Sequence, residues 1–393
     1  MSSTIYLDNS ASTRVRAEVI ESMLPYLSGR FGNASSIHKS GREAQVAMSA
    51  ARQQVARLLN CKPNEIYFTP CGTYSNNVAL LGRVRFAEAN GHGRHLITTP
   101  IEHSSVNGPA KYLEANGWKV TCLPVDKQGF VRPEDLKKAI TKDTSIISIM
   151  WANNEVGTIE PVAELAGIAQ EKGIYFHTDA VQLAGKLPID LAKTPVSTLS
   201  VSGHKFHAPK GIGALFVRKG VNLMPLVFGG GQEQGLFPGT EPLSNIVALG
   251  KAAELCCDEL EDNIENLRRR QRILIDALAT VNGIKFTGPL DIEKRVPGHV
   301  SVLVPGSDGE ALVMKCDMKD LCISSGSACR QGIIEPSRIL LALGWPEQEA
   351  LGSARISVGR YNSDDDCRQA ASHLVEIFTS IPKPQSACGT PAG

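Results

Sequence analysis

The chain has 393 residues, 42% of them hydrophobic, with 41 Lys and Arg set against 40 Asp and Glu for a net charge of +1. That length supports two domains and a large core, and a balance so close to neutral gives no electrostatic case for binding nucleic acid or an anionic membrane. Apolar runs fall short of the roughly 20 residues of a membrane span, and the polar N-terminus does not read as a signal peptide. Ten cysteines without a Cys-x-x-Cys pair argue against a disulfide framework and against a zinc or other metal site, so a reducing cytoplasm is the expected compartment.

From about residue 14 to 260, strand-like and helix-like segments alternate. Gly41 to Leu59 is helical in pattern, and Ile66-Tyr-Phe-Thr is strand-like. The next stretch, Thr69-Pro-Cys-Gly-Thr-Tyr-Ser-Asn-Asn, runs from that strand into a helix. Backbone N–H groups at a helix start, with a hydroxyl such as Thr73, suit a phosphate, although many helix caps share this look. His95-Leu-Ile-Thr-Thr, Ser145-Ile-Ile-Ser-Ile-Met and Thr198-Leu-Ser-Val continue the strands, and Val162 to Glu171 is a helix between two of them. The pattern predicts an α/β fold with a mostly parallel sheet covered by helices.

His177-Thr-Asp-Ala-Val-Gln182 follows the strand pattern of Lys172-Gly-Ile-Tyr-Phe, so Asp179 falls at the carboxyl end of a strand, where open α/β sheets bind ligands. An Asp there suits a pyridine nitrogen, which it keeps protonated as an electron sink, and Gln182 is three residues on, in reach of a ring hydroxyl. Lys205 lies in Ser202-Gly-His-Lys-Phe-His-Ala-Pro-Lys-Gly, a strand-to-loop junction. Most lysines snorkel to solvent; one held beside cationic neighbours loses pKa and frees an amine that condenses with an aldehyde, the chemistry that anchors pyridoxal phosphate. Gly229-Gly-Gly-Gln-Glu-Gln-Gly lacks the strand–loop–helix setting of a dinucleotide fingerprint and reads as a loop.

A charged helix, Asp258 to Leu278, leads into a second, smaller unit of strands and helices, and its basic face Arg268 to Arg272 is expected to be a solvated surface. Cys329 sits in Ser324-Ser-Gly-Ser-Ala-Cys-Arg-Gln-Gly, a small, polar segment with few apolar anchors, read as a mobile loop in which Arg330 favours the thiolate. Cys61, Cys122, Cys316 and Cys367, and the pair Cys256-Cys257, read as buried core thiols. The stretch 381–393 has a disordered composition.

Taken together, the motifs from Tyr6-Leu-Asp-Asn-Ser-Ala-Ser-Thr to about Asn362 resemble the cysteine desulfurases of the NifS/IscS type, class V of the fold-type I pyridoxal phosphate enzymes. The others are Phe31-Gly-Asn-Ala-Ser-Ser-Ile-His, Ile101-Glu-His-Ser-Ser-Val, Asn153-Asn-Glu-Val-Gly-Thr-Ile, Ser202-Gly-His-Lys and Ser324-Ser-Gly-Ser-Ala-Cys. The resemblance implies an aminotransferase-like fold, with a large domain at 14–260 and a smaller α+β domain built from 1–13 and 261–380. It implies that Lys205 anchors the cofactor and removes the Cα proton, that His103 stacks on the ring and shuttles protons, and that Asn154 lies near the ring hydroxyl and substrate carboxylate. Gly72, Thr73, Ser202 and His204 match phosphate contacts, and Thr240 matches one supplied by a second subunit, hence a homodimer. Arg355 matches the grip on the substrate carboxylate, and Asn33 a loop residue near substrate. Cys329 matches the nucleophile that takes sulfur from L-cysteine as a persulfide, leaving L-alanine, for delivery to an acceptor protein in iron–sulfur cluster assembly or another sulfur pathway. Its seven-residue spacing to Pro336 fits the long-loop, group I branch.

Several positions depart from that pattern. Gln234 and Phe237 stand where many members carry arginines, Cys71-Gly72 replaces Gly-Ala, and Val221-Asn-Leu-Met-Pro-Leu-Val replaces an arginine-rich strand. These changes imply weak binding to the usual iron–sulfur scaffold and a more dedicated acceptor. Three other readings share part of the pattern: a selenocysteine lyase, an aminotransferase or other lyase that would not need Cys329, and a sulfur-pathway scaffold without turnover.

Overall fold

A computed structural model describes residues 4–326, 328–330 and 333–382. They form an α/β fold that divides into two compact units, one of residues 10–154 and 158–264, the other of 4–9, 155–157 and 265–382.

The larger unit is built on a seven-stranded sheet in the order Ile66–Thr69, Gly213–Val217, Thr198–Ser202, Tyr175–Asp179, Thr144–Ser148, His95–Thr98 and Lys119–Cys122. Only Gly213–Val217 runs against its neighbours. It follows Thr198–Ser202 through a short connection, which permits an antiparallel return, whereas helical crossovers keep the central strands parallel. The register pairs Ser148 with His177, His177 with Thr198 and Asp179 with Ser200, so these polar residues share one face near the carboxyl ends of the strands. A helical run from Gly72 to Ala89, with a π turn at Val78–Gly82, covers that face. Its Leu80, Val84 and Ala87 pack on Leu96, Ile146 and Tyr175, while Asn76, nearer its start, meets the polar end. The expected helices are observed at Lys39–Leu59, Val162–Glu171 and Leu260–Leu278, the last directly preceded by another helix, Leu243–Asp258.

In the smaller unit, Ser353–Ser357, His299–Leu303 and Lys285–Phe286 form an antiparallel sheet, and Ile5–Tyr6 pairs in parallel with Leu321–Cys322. A core of Leu7, Leu274, Val300, Leu312, Ile356 and Leu374 closes it. Ile381 is buried against this core, so the ordered chain outlasts the predicted boundary at 381; the remainder of the expected tail, 383–393, lies outside the described residues. The basic helix face is not simply solvated: Arg269 and Arg270 both pair with Asp364, and Arg268 with Glu293. Among the thiols, Cys316 and Cys367 are core residues whose burial pushes them up to about 12 and about 11. Cys122, by contrast, is exposed, because its strand is the edge of the sheet.

His177 sits fully buried in the polar row, its Nδ1 2.9 Å from Thr198 Oγ1 and its Nε2 3.0 Å from Asn76 Oδ1. Burial pushes its imidazole down to about 3, the Thr198 contact opposing. The folded value lies below the unfolded one, so this contribution to stability is full above about pH 6.5 and is lost as pH falls from there toward about 3. We expect His177→Gln to flatten the pH dependence of unfolding between pH 6.5 and 5 by about 1 kcal/mol per pH unit, measured as denaturant midpoints against wild type. An unchanged slope would show that His177 does not carry this proton linkage.

Candidate active site

Lys205 ends the turn Gly203–Lys205 directly after the strand Thr198–Ser202. Its Nζ donates to the main-chain carbonyls of Ser10 at 2.6 Å and Ala11 at 2.8 Å. The same N-terminal stretch braces the turn elsewhere: Thr13 Oγ1 donates to His204 O and accepts from His207 N. His204 Nδ1 lies 3.3 Å from Ser12 Oγ, and burial, reinforced by Lys205 and Lys210, pushes its imidazole down to about 4. Sequence reasoning did not foresee residues 10–13 as the support of the lysine, because that contact spans some 190 positions.

Asp179 is the last residue of its strand and only 5% exposed. Its Oδ1 accepts from Val181 N at 2.9 Å and its Oδ2 from Asn76 Nδ2 at 2.7 Å. Gln182 is buried but is engaged differently from the expected ring-hydroxyl contact: its Nε2 donates to Ser10 O and its Oε1 accepts from Lys186 Nζ. Gln182 and Lys205 thus share one carbonyl.

Gly72 begins the helix that crosses the sheet, and a β-carbon on it would lie 2.9 Å from Val181 Cγ2 and 3.4 Å from Ser202 Cβ. The helix start is therefore bare of a side chain exactly where Ser202 ends its strand; Cys71, the cap residue, offers no side-chain cap bond, and Thr73 follows in the first turn. A primary amine on a rigid turn, a buried carboxylate that only accepts, and an uncapped helix start with a hydroxyl beside it form the donor set that pyridoxal phosphate requires. The residues present fit that cofactor.

His103 caps the helix Ser104–Ala115, its Nδ1 accepting from Ser105 N at 3.2 Å and lying 2.8 Å from Ser105 Oγ. The preceding residue, Glu102, is fully buried and anchors this loop by accepting from Thr99 Oγ1 and Met150 N. Asn153 ties the neighbouring loop down through Ile101 O, beside the half-buried Asn154. Asn76, Ser105, Glu102 and Asn153 hold these segments in place through buried hydrogen bonds, and the sequence reading gave them no role. Asn33 is exposed, its Oδ1 accepting from Ser35 N in its own loop.

The Gly-rich segment is pinned by Glu233, which accepts a two-pronged bond from Arg52 at 2.6 and 2.8 Å and a third from Phe68 N. Thr240, beyond it, is exposed. Phe237 is partly buried and packs on an apolar cluster that includes Val78 and Leu236.

In the smaller unit, Arg355 lies on the strand Ser353–Ser357, 8% exposed, with Nη2 2.8 Å from Asp8 Oδ1. Its backbone exchanges hydrogen bonds with Ser324. Ser337 Oγ donates to Glu155, and a β-carbon at Gly326 would lie 3.0 Å from Glu155 Oε2. Burial pushes the Glu155 carboxyl up, against Ser337, Arg355 and Arg338. Between those two ends, the backbone at Ala328–Arg330 pairs antiparallel with Ile333–Glu335, Cys329 opposite Ile334. The predicted irregular loop is thus partly a strand pair, favoured by the β-branched Ile333 and Ile334.

Among the described residues, no helix is long and apolar enough to cross a membrane and no cluster of metal-ligand residues forms. The aminotransferase class-V family profile matches residues 5–369. The cysteine desulfurase IscS of Methanosarcina thermophila is 44% identical over 377 residues, covering 96% of this chain and 92% of the relative. The cysteine desulfurase IscS of Clostridium botulinum (strain Kyoto / Type A2) is 42% identical over 385 residues, covering 98% and 95%. A solved NifS-like protein superposes with a TM-score of 0.89 at 37% identity, covering 96% of this chain and 99% of that one. With both sequence and fold matched nearly end to end, the chain belongs to the class-V aminotransferase family of pyridoxal phosphate enzymes.

Proposed function

We propose that this enzyme is a cysteine desulfurase that converts L-cysteine to L-alanine and passes the sulfur, as a persulfide on Cys329, to an acceptor protein. The observation that carries the reading is the grouping of Lys205, Asp179 and the bare helix start at Gly72 along the carboxyl ends of the parallel strands. The near full-length similarity to enzymes named cysteine desulfurase supports the substrate.

Bound pyridoxal phosphate supplies an electron sink for the bonds at the substrate Cα and Cβ. Lys205 Nζ holds the cofactor, then takes the Cα proton once substrate has displaced it. Asp179 keeps the ring nitrogen protonated, and Asn76 and Val181 N hold the carboxylate in place. Gly72, Thr73, Ser202 and His204 receive the phosphate, while Asn154 and Gln182 serve the ring-hydroxyl side. His103 faces the ring. Arg355 binds the substrate carboxylate as a two-pronged donor, and Asn33 borders the substrate. The Cys329 thiolate attacks the substrate sulfur; the Cβ–S bond breaks with its electron pair left on carbon, which gains a proton and becomes the methyl group of L-alanine. The sulfur stays on Cys329 as S–SH, so atoms and electrons balance without an external oxidant.

We assign a homodimer in which Thr240 reaches the phosphate of the other subunit, a cytoplasmic location, and an acceptor other than the usual iron–sulfur scaffold. The apolar packing of Phe237 in place of an arginine supports the last.

The purified protein is expected to be yellow, and Lys205→Ala to lose the visible band of the lysine-bound cofactor. A wild-type protein with no such band after incubation with pyridoxal phosphate would sink the cofactor assignment. Asp179→Ala should lower kcat for alanine formation on the order of 10²–10³-fold, the usual scale for removing a fixed electrostatic group. After brief L-cysteine exposure, intact-mass and peptide analysis should find the added sulfur on Cys329 before any other thiol, and Cys329→Ser should keep the band yet make no persulfide. Sulfur first on Cys71 or Cys322 would move the nucleophile elsewhere.

A further inference from the structure

Five polar groups beneath the start of the 72–89 helix form one continuous hydrogen-bond chain, and its direction is fixed at one end. An ionised carboxylate only accepts. Asp179 Oδ2, 2.7 Å from the Asn76 amide, must therefore face its Nδ2, which settles the orientation of that amide. The second Nδ2 hydrogen points to Ser105 Oγ, 2.8 Å away. Ser105 Oγ, accepting from Asn76, directs its own proton to His103 Nδ1 at 2.8 Å, and Ser105 N–H donates to the same nitrogen at 3.2 Å. On the far side Asn76 Oδ1 accepts from His177 Nε2. Asn76 and Ser105 are 1% and 5% exposed, so water does not compete for these bonds.

We infer that Asn76 and Ser105 are positioning residues that hold His103 in the tautomer with its proton on Nε2, so that the ring works as a neutral hydrogen-bond donor and not as an imidazolium shuttle. A proton on Nδ1 would confront two donors and the positive end of the helix that His103 caps. The inference rests on the cofactor reading only in giving His103 a catalytic task; the tautomer itself follows from the chain's own contacts. It also couples the two ring-facing groups: the charge on Asp179 dictates, through two side chains, where the His103 proton sits.

The test is two-bond 1H–15N correlation spectroscopy on 15N-histidine-labelled holoenzyme near pH 7.5, with the His103 signals assigned by their loss in His103→Gln. The expected wild-type spectrum has a pyridine-type Nδ1 and a pyrrole-type Nε2. Ser105→Ala and Asn76→Ala should each shift the tautomer ratio toward Nδ1–H by between about twofold and tenfold, the weight of one hydrogen bond, and Ser105→Thr should restore the wild-type pattern. A wild-type proton on Nδ1, a doubly protonated ring, or an unchanged ratio in Ser105→Ala overturns the inference. An unchanged ratio in Asn76→Ala alone removes Asn76 from it. Should Asn76→Ala fail to fold, Ser105→Ala, which removes a single oxygen, decides. The visible band recorded on the same samples separates the two readings: a protein without it overturns the cofactor assignment while its histidine spectrum still reports the tautomer.

Discussion

A carboxylate can accept hydrogen bonds but never give one, and at Asp179 this one-way character governs everything packed against it. The sheet face at the carboxyl ends of the central strands carries Ser148, His177, Thr198 and Ser200 as well as Asp179, all buried. Polar groups removed from water need partners, at a cost of about 1–3 kcal/mol for each one left unmet. The helix from Gly72 meets part of that demand with Asn76, which bonds Asp179 and His177, and only afterwards turns apolar, laying Leu80, Val84 and Ala87 over Leu96 and Ile146. The same segment therefore offers a bare start at Gly72, a polar plug at Asn76 and a hydrophobic cover beyond. Sliding it along the sheet would lose all three at once.

The smaller unit is organised around a different charge. Residues 155–157 leave the run of the larger unit and cluster with the smaller one, where Glu155 meets Ser337 and the backbone of Gly326. Arg355 lies two residues along its strand from the β-bridge that Asp8 makes with Ser357, and its ion pair with Asp8 ties the N-terminal stretch to the three-stranded sheet of the smaller unit. A charged pair of this kind contributes modestly to stability while fixing the direction of the guanidinium.

The placement of Lys205 and Asp179 was legible because it is local: Asp179 closes a strand and Lys205 the turn after one, each in a short run whose composition already departs from the average. The contacts of Gln182 to Ser10 and Lys186 were not legible, since they are set by tertiary approach and not by its distance from Asp179 along the chain. Asn76 read as one more polar residue after a helix cap, and nothing in its immediate sequence distinguishes it from Asn77, which donates to Thr73 O in its own helix. Cys122 was taken for a core thiol because most unpaired cysteines are buried; that it lies on an edge strand depends on sheet order, which the sequence does not spell out.

The bonds of Gly326 N to Ser353 Oγ and of Ser337 Oγ to Glu155 hold the segment between them at both ends. Cys329 is three residues from the nearer anchor, and an extended chain covers at most about 3.3–3.6 Å per residue, so its Cα stays within roughly 10 Å of Gly326 whatever course the segment takes. The longer arm, eight residues from Ser337, adds no range because the shorter one runs out first. In the proposed reaction, sulfur on this thiol would be delivered at short range, and an acceptor protein would have to bring its own group inside that radius.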